Sequence, residues 1–166
     1  MTFGNWKRLL INGVIVIAVS IGFSTWQSSN LISDEKFAPQ FTLPTISGLN
    51  VSLNDFAGKR VLLYFFAPWC KICDLSISNL NWLKSLRGEE SLNLLAVALS
   101  YDDIHSIKSF IKRNNINVPV LIGTSKIINS YRINAFPTIY VVNESGNIES
   151  STIGYTSVLG LWWRTL

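Results

Sequence analysis

The chain has 166 residues and a formal net charge of +4, and 48% of its residues are hydrophobic while only 14% are charged. Soluble domains contain about 25% charged residues, so we expect one apolar segment to account for the difference. Without Lys7 and Arg8, twelve basic residues face ten acidic ones. This near balance argues against a nucleic-acid-binding surface.

The apolar segment lies near the N-terminus. Residues 9–26 contain no charged side chain, and as a helix they would be about 27 Å long, close to the thickness of a bilayer's hydrocarbon core. Lys7 and Arg8 precede this run, whereas Asp34 and Glu35 follow it. The pattern predicts a single-pass anchor in the inner (cytoplasmic) membrane, with residues 1–8 in the cytoplasm and the rest on the periplasmic side. A signal peptide cleaved within the run is the alternative.

The segment after the anchor begins with a linker. Residues 27–36 are polar and rich in serine, which is typical of a linker. Residues 37–166 are then enough for one domain with its own core. Alternating apolar and polar residues predict short strands at 41–43 and 51–53, and the fully apolar run 61–66 predicts a buried central strand.

Helical and strand patterns alternate through the rest of the chain. The predicted elements are a helix over 72–86, a strand over 92–99, a helix over 104–113, a strand over 118–122, a short helix over 125–131, strands over 139–142 and 147–153, and a helix that starts at Thr156 or Ser157. This order predicts an α/β fold with parallel central strands and a β-hairpin at one side.

Cys70 and Cys73 are the only cysteines, and a bond between them would close too short a loop to stabilise the fold. They follow a buried strand and open a helix, where unpaired backbone N–H groups and the helix dipole favour a thiolate. The charge of Lys71 should act in the same direction. We predict Cys70 to be the exposed, acidic thiol that attacks, and Cys73 to be the buried thiol that resolves the mixed disulfide.

Two segments of the sequence resemble a known family. Residues 65–73, with the letters FFAPWCKIC, resemble the active-site segment of thioredoxin-fold proteins, and Phe136-Pro137-Thr138 resembles their cis-proline loop. With the apolar run and residues 53–59, the chain is similar to membrane-anchored thiol-disulfide oxidoreductases of the TlpA/ResA type, and residues 154–161 are most similar to the ScsD type. The resemblance implies a thioredoxin-like three-layer α/β/α sandwich with a mixed central sheet, preceded by one transmembrane helix.

The resemblance also implies roles for individual residues and partners. Pro137 would be cis and lie beside the cysteines, the backbone of Phe136 would bind an extended peptide, and Trp69 would shape the docking surface. The partners would be protein substrates with cysteine thiols or disulfides. Disulfides in these substrates would be reduced without a cofactor, and a membrane donor would supply the electrons. Cytochrome c maturation and copper or oxidative stress defence are the expected contexts. A protein disulfide oxidase or isomerase and a copper-handling thiol module remain alternatives.

The sequence departs from the family at the buried acid. Thioredoxins have an Asp six residues before the first cysteine, where this chain has Tyr64. Many TlpA and ResA relatives instead have a Glu three residues after the second cysteine and a Pro two residues later, where this chain has Ser76 and Ser78. The base that deprotonates Cys73 could then be Asp74, Lys59 or water.

The remaining expectations concern residues outside this motif. Lys112 and Arg113 are expected to be solvated on the surface, and His105 is expected to be a solvated helix residue. Trp162 and Trp163 are expected to pack on the sheet rather than contact a membrane.

Overall fold

A computed structural model of the chain describes residues 8, 10–15, 31, 36–88 and 91–166, and it divides the chain into two compact units, Met1–Asn30 and Leu31–Leu166. The predicted anchor lies outside the described residues except for 10–15, which are helical. Most of the predicted linker also lies outside them. Within the described ranges, no helix is long and apolar enough to cross a bilayer.

The second unit contains seven strands and five α-helices among the described residues. In chain order these are β1 (Thr42–Pro44), β2 (Asn50–Ser52), a 3-10 helix (Leu53–Phe56), β3 (Val61–Phe66), α1 (Lys71–Ser76), α2 (Ser78–Arg87), β4 (Asn93–Ala98), α3 (Ile104–Arg113), β5 (Val120–Ile122), α4 (Ser125–Ser130), β6 (Thr138–Val142), β7 (Ile148–Ile153) and α5 (Val158–Arg164).

Five of the strands form a mixed sheet in the order β5-β4-β3-β6-β7. β3 pairs in parallel with β4, and β4 with β5, whereas β6 is antiparallel to both β3 and β7. β1 and β2 form a separate antiparallel pair. The predicted α/β fold with parallel central strands and an antiparallel hairpin is therefore confirmed.

The central strand β3 separates two cores, and all six of its residues are buried. Leu62, Tyr64 and Phe66 face a cluster that contains residues of α2, α3 and α5. The alternate residues Leu63 and Phe65 face a second cluster, which includes residues of β1 and α4. Successive strand side chains point to opposite faces, so a fully apolar strand is what a sheet covered on both sides requires.

The predicted helix over 72–86 is two helices that meet at Ile77. The Ser76 hydroxyl donates to the Ile72 carbonyl at 2.9 Å, a bond to the preceding turn that often bends helices. Ile77 is fully buried and keeps helical dihedrals, so the chain stays in the core where the first helix ends and the second begins.

The expectation that both C-terminal tryptophans pack on the sheet is wrong. Trp162 is 38% exposed and Trp163 is 73% exposed, whereas Leu161 and Thr165 are buried. Leu161 and Thr165 lie one turn apart on α5, so they share the face that meets the core and leave the indoles on the outer faces.

Candidate active site

The cysteine pair lies at the carboxyl end of β3, where residues 67–70 connect the strand to α1. Cys70 is the N-cap of α1, and its backbone N–H donates to the Ala67 carbonyl at 3.0 Å. Cys70 and Cys73 form a disulfide, with their Cα atoms 5.2 Å apart. The predicted strand-to-helix junction is therefore the place where the two sulfurs meet.

The first turn of α1 provides a hydrogen bond to the first sulfur. The Cys73 N–H donates to Cys70 Sγ at 3.2 Å, in the position that a capping oxygen normally fills. A backbone donor at a helix N-terminus favours a charged acceptor. The sequence predicts Cys70 to be the more acidic thiol, and a contact of this kind is consistent with that prediction because an N–H donor at this place would stabilise a charged sulfur.

Cys70 is less accessible than expected. In the disulfide form Cys70 is 6% exposed and Cys73 is fully buried. Cys70 Sγ lies 3.5 Å from the carbonyl oxygen of Phe136, so the loop that precedes β6 covers part of the sulfur. Cys70 remains the sulfur nearer to solvent, but a reactant has to approach it between two loops.

The residues implied as a substrate surface lie beside this sulfur. The Phe136–Pro137 peptide bond is cis, as the resemblance implies, and Pro137 is buried. Trp69 is 63% exposed, and its ring meets that of Phe136 edge to face, with centroids 5.9 Å apart. The indole Nε1–H donates to the Ser100 carbonyl at 2.7 Å, which fixes the exposed ring in place.

Arg113 is a site residue that the sequence did not reveal. Its Nε donates to Asp74 Oδ1 at 2.9 Å, and its Nη2 donates to Asp74 Oδ2 at 3.4 Å and to the Pro68 carbonyl at 3.0 Å. The guanidinium also lies over the Phe110 ring, 5.0 Å from its centroid. Arg113 is exposed on the surface, as expected, but it also makes contacts that the sequence did not indicate, since Asp74 and Pro68 lie about 40 residues earlier in the chain.

Asp74 is fully engaged by this contact. Asn114 Nδ2 also donates to Asp74 Oδ1, at 2.8 Å. Partial burial raises the pKa of the Asp74 carboxyl, but the hydrogen bonds from Asn114 and Arg113 and the charges of Arg113 and Lys71 outweigh it, so the pKa lies below the ordinary 3.8. A carboxylate held in this way is a poor proton acceptor for Cys73.

The two positions that lack the family carboxylates contact each other. Tyr64 Oη and Ser76 Oγ are 2.7 Å apart. Both residues are buried, and Tyr64 belongs to the apolar cluster that contains Cys73. Ser76 uses its single proton on the Ile72 carbonyl, so Tyr64 must be the donor to Ser76. Burial raises the pKa of Tyr64 far above physiological pH despite this hydrogen bond.

The third suggested base, Lys59, lies at the other end of the strand. Lys59 precedes β3 and the cysteines follow it. A strand of six residues spans about 20 Å, far beyond hydrogen-bond reach of Cys73. With Asp74 bound to Arg113, water is the remaining candidate among the three that the sequence suggested.

A cysteine pair at the N-terminus of a helix, after the central strand of a thioredoxin-like sheet, defines the class of thiol-disulfide oxidoreductases. More particularly, the chain belongs to the AhpC/TSA family, whose model matches residues 35–151. It is 29% identical over 155 residues to the thiol-disulfide oxidoreductase ResA of Bacillus anthracis, and the alignment covers 89% of each chain. It is 28% identical over 151 residues to the thioredoxin-like protein YneN of Bacillus subtilis, and this alignment covers 84% of this chain and 87% of that protein.

Solved structures show the same fold. StoA of Bacillus subtilis superposes with a TM-score of 0.69 at 26% identity, over 78% of this chain and 98% of that one. A DsbE-type thiol:disulfide interchange protein of Chlorobium tepidum has the same fold, with a TM-score of 0.73 at 22% identity over 80% of this chain and 95% of that one. The predicted TlpA/ResA type is confirmed, and the closer resemblance to the ScsD type stays a prediction.

Proposed function

We propose that the chain is an exported, membrane-tethered oxidoreductase that reduces disulfides in protein substrates, with Cys70 as the attacking cysteine and Cys73 as the resolving cysteine. The observation that carries the assignment of the two cysteines is the Cys73 N–H bond to Cys70 Sγ at the start of α1, and the similarity to ResA supports the reducing direction. This hydrogen bond distinguishes the two sulfurs chemically, since only Cys70 receives a hydrogen bond from the helix N-terminus.

The reaction consists of two displacements. The Cys70 thiolate attacks one sulfur of the substrate disulfide, which forms a mixed disulfide and releases the other substrate sulfur as a thiolate. Cys73 then loses its proton to water and attacks Cys70 Sγ, so the second substrate sulfur leaves as a thiolate and the Cys70–Cys73 disulfide forms. Two electrons pass from the cysteine pair to the substrate. A dithiol donor at the membrane must then return the pair to its reduced form.

The loop before β6 is suited to hold the substrate during this exchange. The Phe136 carbonyl lies 3.5 Å from Cys70 Sγ, so an extended peptide that hydrogen-bonds to the backbone of Phe136 would present its sulfur to Cys70. Pro137 fixes the end of this loop, and Trp69 covers the adjacent surface. Lys71, exposed at the first position of α1, would add a positive charge beside the thiolate.

The location and the direction of electron flow are separate parts of the proposal. The uncharged run 9–26 with Lys7 and Arg8 before it supports a tether with the domain outside. Protease added to intact spheroplasts should digest the domain, and protection of the domain would refute the export.

The similarity to ResA supports reduction, whereas the helix N-terminus stabilises the reduced form and so favours oxidation.

The reduction potential distinguishes the two directions. Equilibration with glutathione or dithiothreitol should give a value near that of thioredoxin, about −270 mV, for a reductase. A value near that of DsbA, about −120 mV, would instead identify an oxidase. The hydrogen bond from the Cys73 N–H to Cys70 Sγ would then explain the oxidising potential, because it stabilises the reduced form.

The roles of the cysteines can be tested by substitution. Cys70→Ser should abolish turnover in an insulin-reduction assay, and undiminished turnover would refute the proposal. Cys73→Ala should accumulate mixed disulfides that contain Cys70, because the resolving step is missing. The double variant C70S/C73A is the matched control and should capture no substrate. Capture by the double variant would show that the trapped proteins are not bound through these sulfurs.

A further inference from the structure

The contact between Arg113 and Asp74 has a consequence for the cysteine pair. Asp74 lies four residues after Cys70, and its backbone N–H donates to the Cys70 carbonyl at 3.1 Å, so its carboxylate belongs to the first turn of the helix that Cys70 caps. A negative charge one turn from a thiolate opposes the thiolate. At this position Arg113 supplies a positive charge in two-point contact with the carboxylate.

The same guanidinium also holds the segment on the other side of Cys70. Its Nη2 donates to the carbonyl of Pro68, two residues before the cysteine. The planar guanidinium lies over Phe110, whose side chain is buried, so the group is oriented by α3. Arg113 therefore connects α3 to the two segments that flank Cys70, although no contact places it on a reacting sulfur.

We propose that Arg113 is a positioning residue for Cys70, which neutralises Asp74 and fixes the Pro68 carbonyl, and so keeps the first turn of α1 favourable to the Cys70 thiolate. This inference rests on the proposed role of Cys70 as the attacking cysteine. It assigns the tuning of that thiol to a residue 43 positions later in the chain, in addition to the adjacent Lys71.

The two helices that contain Asp74 and Arg113 hold further charged or titratable groups. These are Lys71 on α1 and His105, Lys108 and Lys112 on α3; Asp102 and Asp103 directly precede α3, and Arg132 precedes the loop of Pro137. They stay constant when Arg113 or Asp74 is changed, so differences between those variants report the Arg113–Asp74 pair. Half of the Arg113 side chain is exposed, so salt should weaken the effect.

The test compares five full-length proteins in the reduced state: wild type, R113M, D74N, D74N/R113M and R113K. The pH dependence of alkylation by iodoacetamide, with the modified cysteine identified by mass spectrometry, gives the midpoint for Cys70. We expect R113M to raise that midpoint by about 0.5 to 1 pH unit, because it leaves Asp74 uncompensated. D74N should lower it, because Arg113 then acts alone.

The double variant and the lysine variant separate charge from structure. D74N/R113M should return close to the wild-type midpoint, since both charges are removed together, and R113K should lie closer to wild type than R113M does. In equilibrium with glutathione, R113M should favour the disulfide by at most about tenfold, which corresponds to about 30 mV. K112M, which removes an equal charge from the same turn of α3, is the matched control and should shift neither quantity by as much.

An unchanged midpoint in R113M, or a double variant displaced as far as R113M, would overturn the proposal. If R113M does not fold, the downward shift expected of D74N and the near-normal behaviour of R113K still decide it. A different failure is recognisable in the wild type itself. If Cys73 rather than Cys70 is alkylated first there, the proposed role of Cys70 is wrong, and the inference about Arg113 falls with it.

Discussion

Removing either hydroxyl of the buried Tyr64–Ser76 pair should lower the free energy of unfolding, but by different amounts. Tyr64 donates to Ser76, and Ser76 donates to the Ile72 carbonyl. Tyr64→Phe removes one hydrogen bond and leaves no buried donor without a partner, so it should cost about 1 kcal/mol of unfolding free energy. Ser76→Ala leaves the fully buried Tyr64 hydroxyl without its acceptor, so it should cost about 2 kcal/mol, within the usual 1 to 3 for such a group.

The double variant Y64F/S76A provides the decisive comparison. It removes both hydroxyls, so its cost should be smaller than that of S76A alone, because the orphaned donor is gone. Urea denaturation of the disulfide form gives the three free energies, and thermal midpoints should fall by about 4 °C per kcal/mol. If S76A costs no more than Y64F, or if the double variant costs the sum of the two, the assigned direction of the hydrogen bonds is wrong.

The remaining predictions concern stability at two other positions. The pKa of Asp74 is lowered on folding, so its charged contacts contribute stability above about pH 4 and lose that contribution as pH falls through the lowered value. D74N should therefore be about 1 kcal/mol less stable than wild type at pH 7, and the difference should shrink as pH falls through that lowered value. A difference that stays constant with pH would contradict this. A Cβ added at Gly123 would collide with the Leu99 side chain and lie 2.9 Å from the Ala98 carbonyl oxygen. Gly123→Ala should therefore cost about 1 to 3 kcal/mol in urea denaturation. Gly13→Ala should cost little, because its added Cβ has no atom of the described residues within 4 Å.

The elements that define the fold could be predicted because their patterns are local. The strand over 61–66 was predicted with its observed bounds, since six consecutive apolar residues are typical of a strand covered on both faces. Ser157 is the N-cap of α5, and its hydroxyl accepts from the Gly160 N–H, as the predicted start implied. The break at Ile77 could not be predicted, because the run 72–86 keeps its helical period across that residue.

The cysteine pair could be predicted from the sequence, but the contacts that surround it could not. Cys70 and Cys73 are recognisable because the strand-to-helix junction is continuous in the chain. Arg113 contacts Asp74 across 39 residues, and Tyr64 contacts Ser76 across 12. Contacts of this kind depend on which helix faces pack together, and neither α1 nor α3 contains a pattern that specifies its partner.

These contacts give the two cysteines opposite environments. Three charged groups lie near the first turn of α1: Lys71 and Asp74 belong to this helix, and Arg113 contacts Asp74 from α3. In our proposal these charges tune the Cys70 thiolate. Near Cys73 the buried groups are the neutral hydroxyls of Tyr64 and Ser76. Tyr64 donates its proton to Ser76, and Ser76 donates its proton to the Ile72 carbonyl. A carboxylate beneath Cys73 would add its own titration to the resolving step, but neutral hydroxyls add none. The release of a mixed disulfide should therefore follow a single thiol ionisation, and a second acidic transition in its pH profile would show that another group takes the proton.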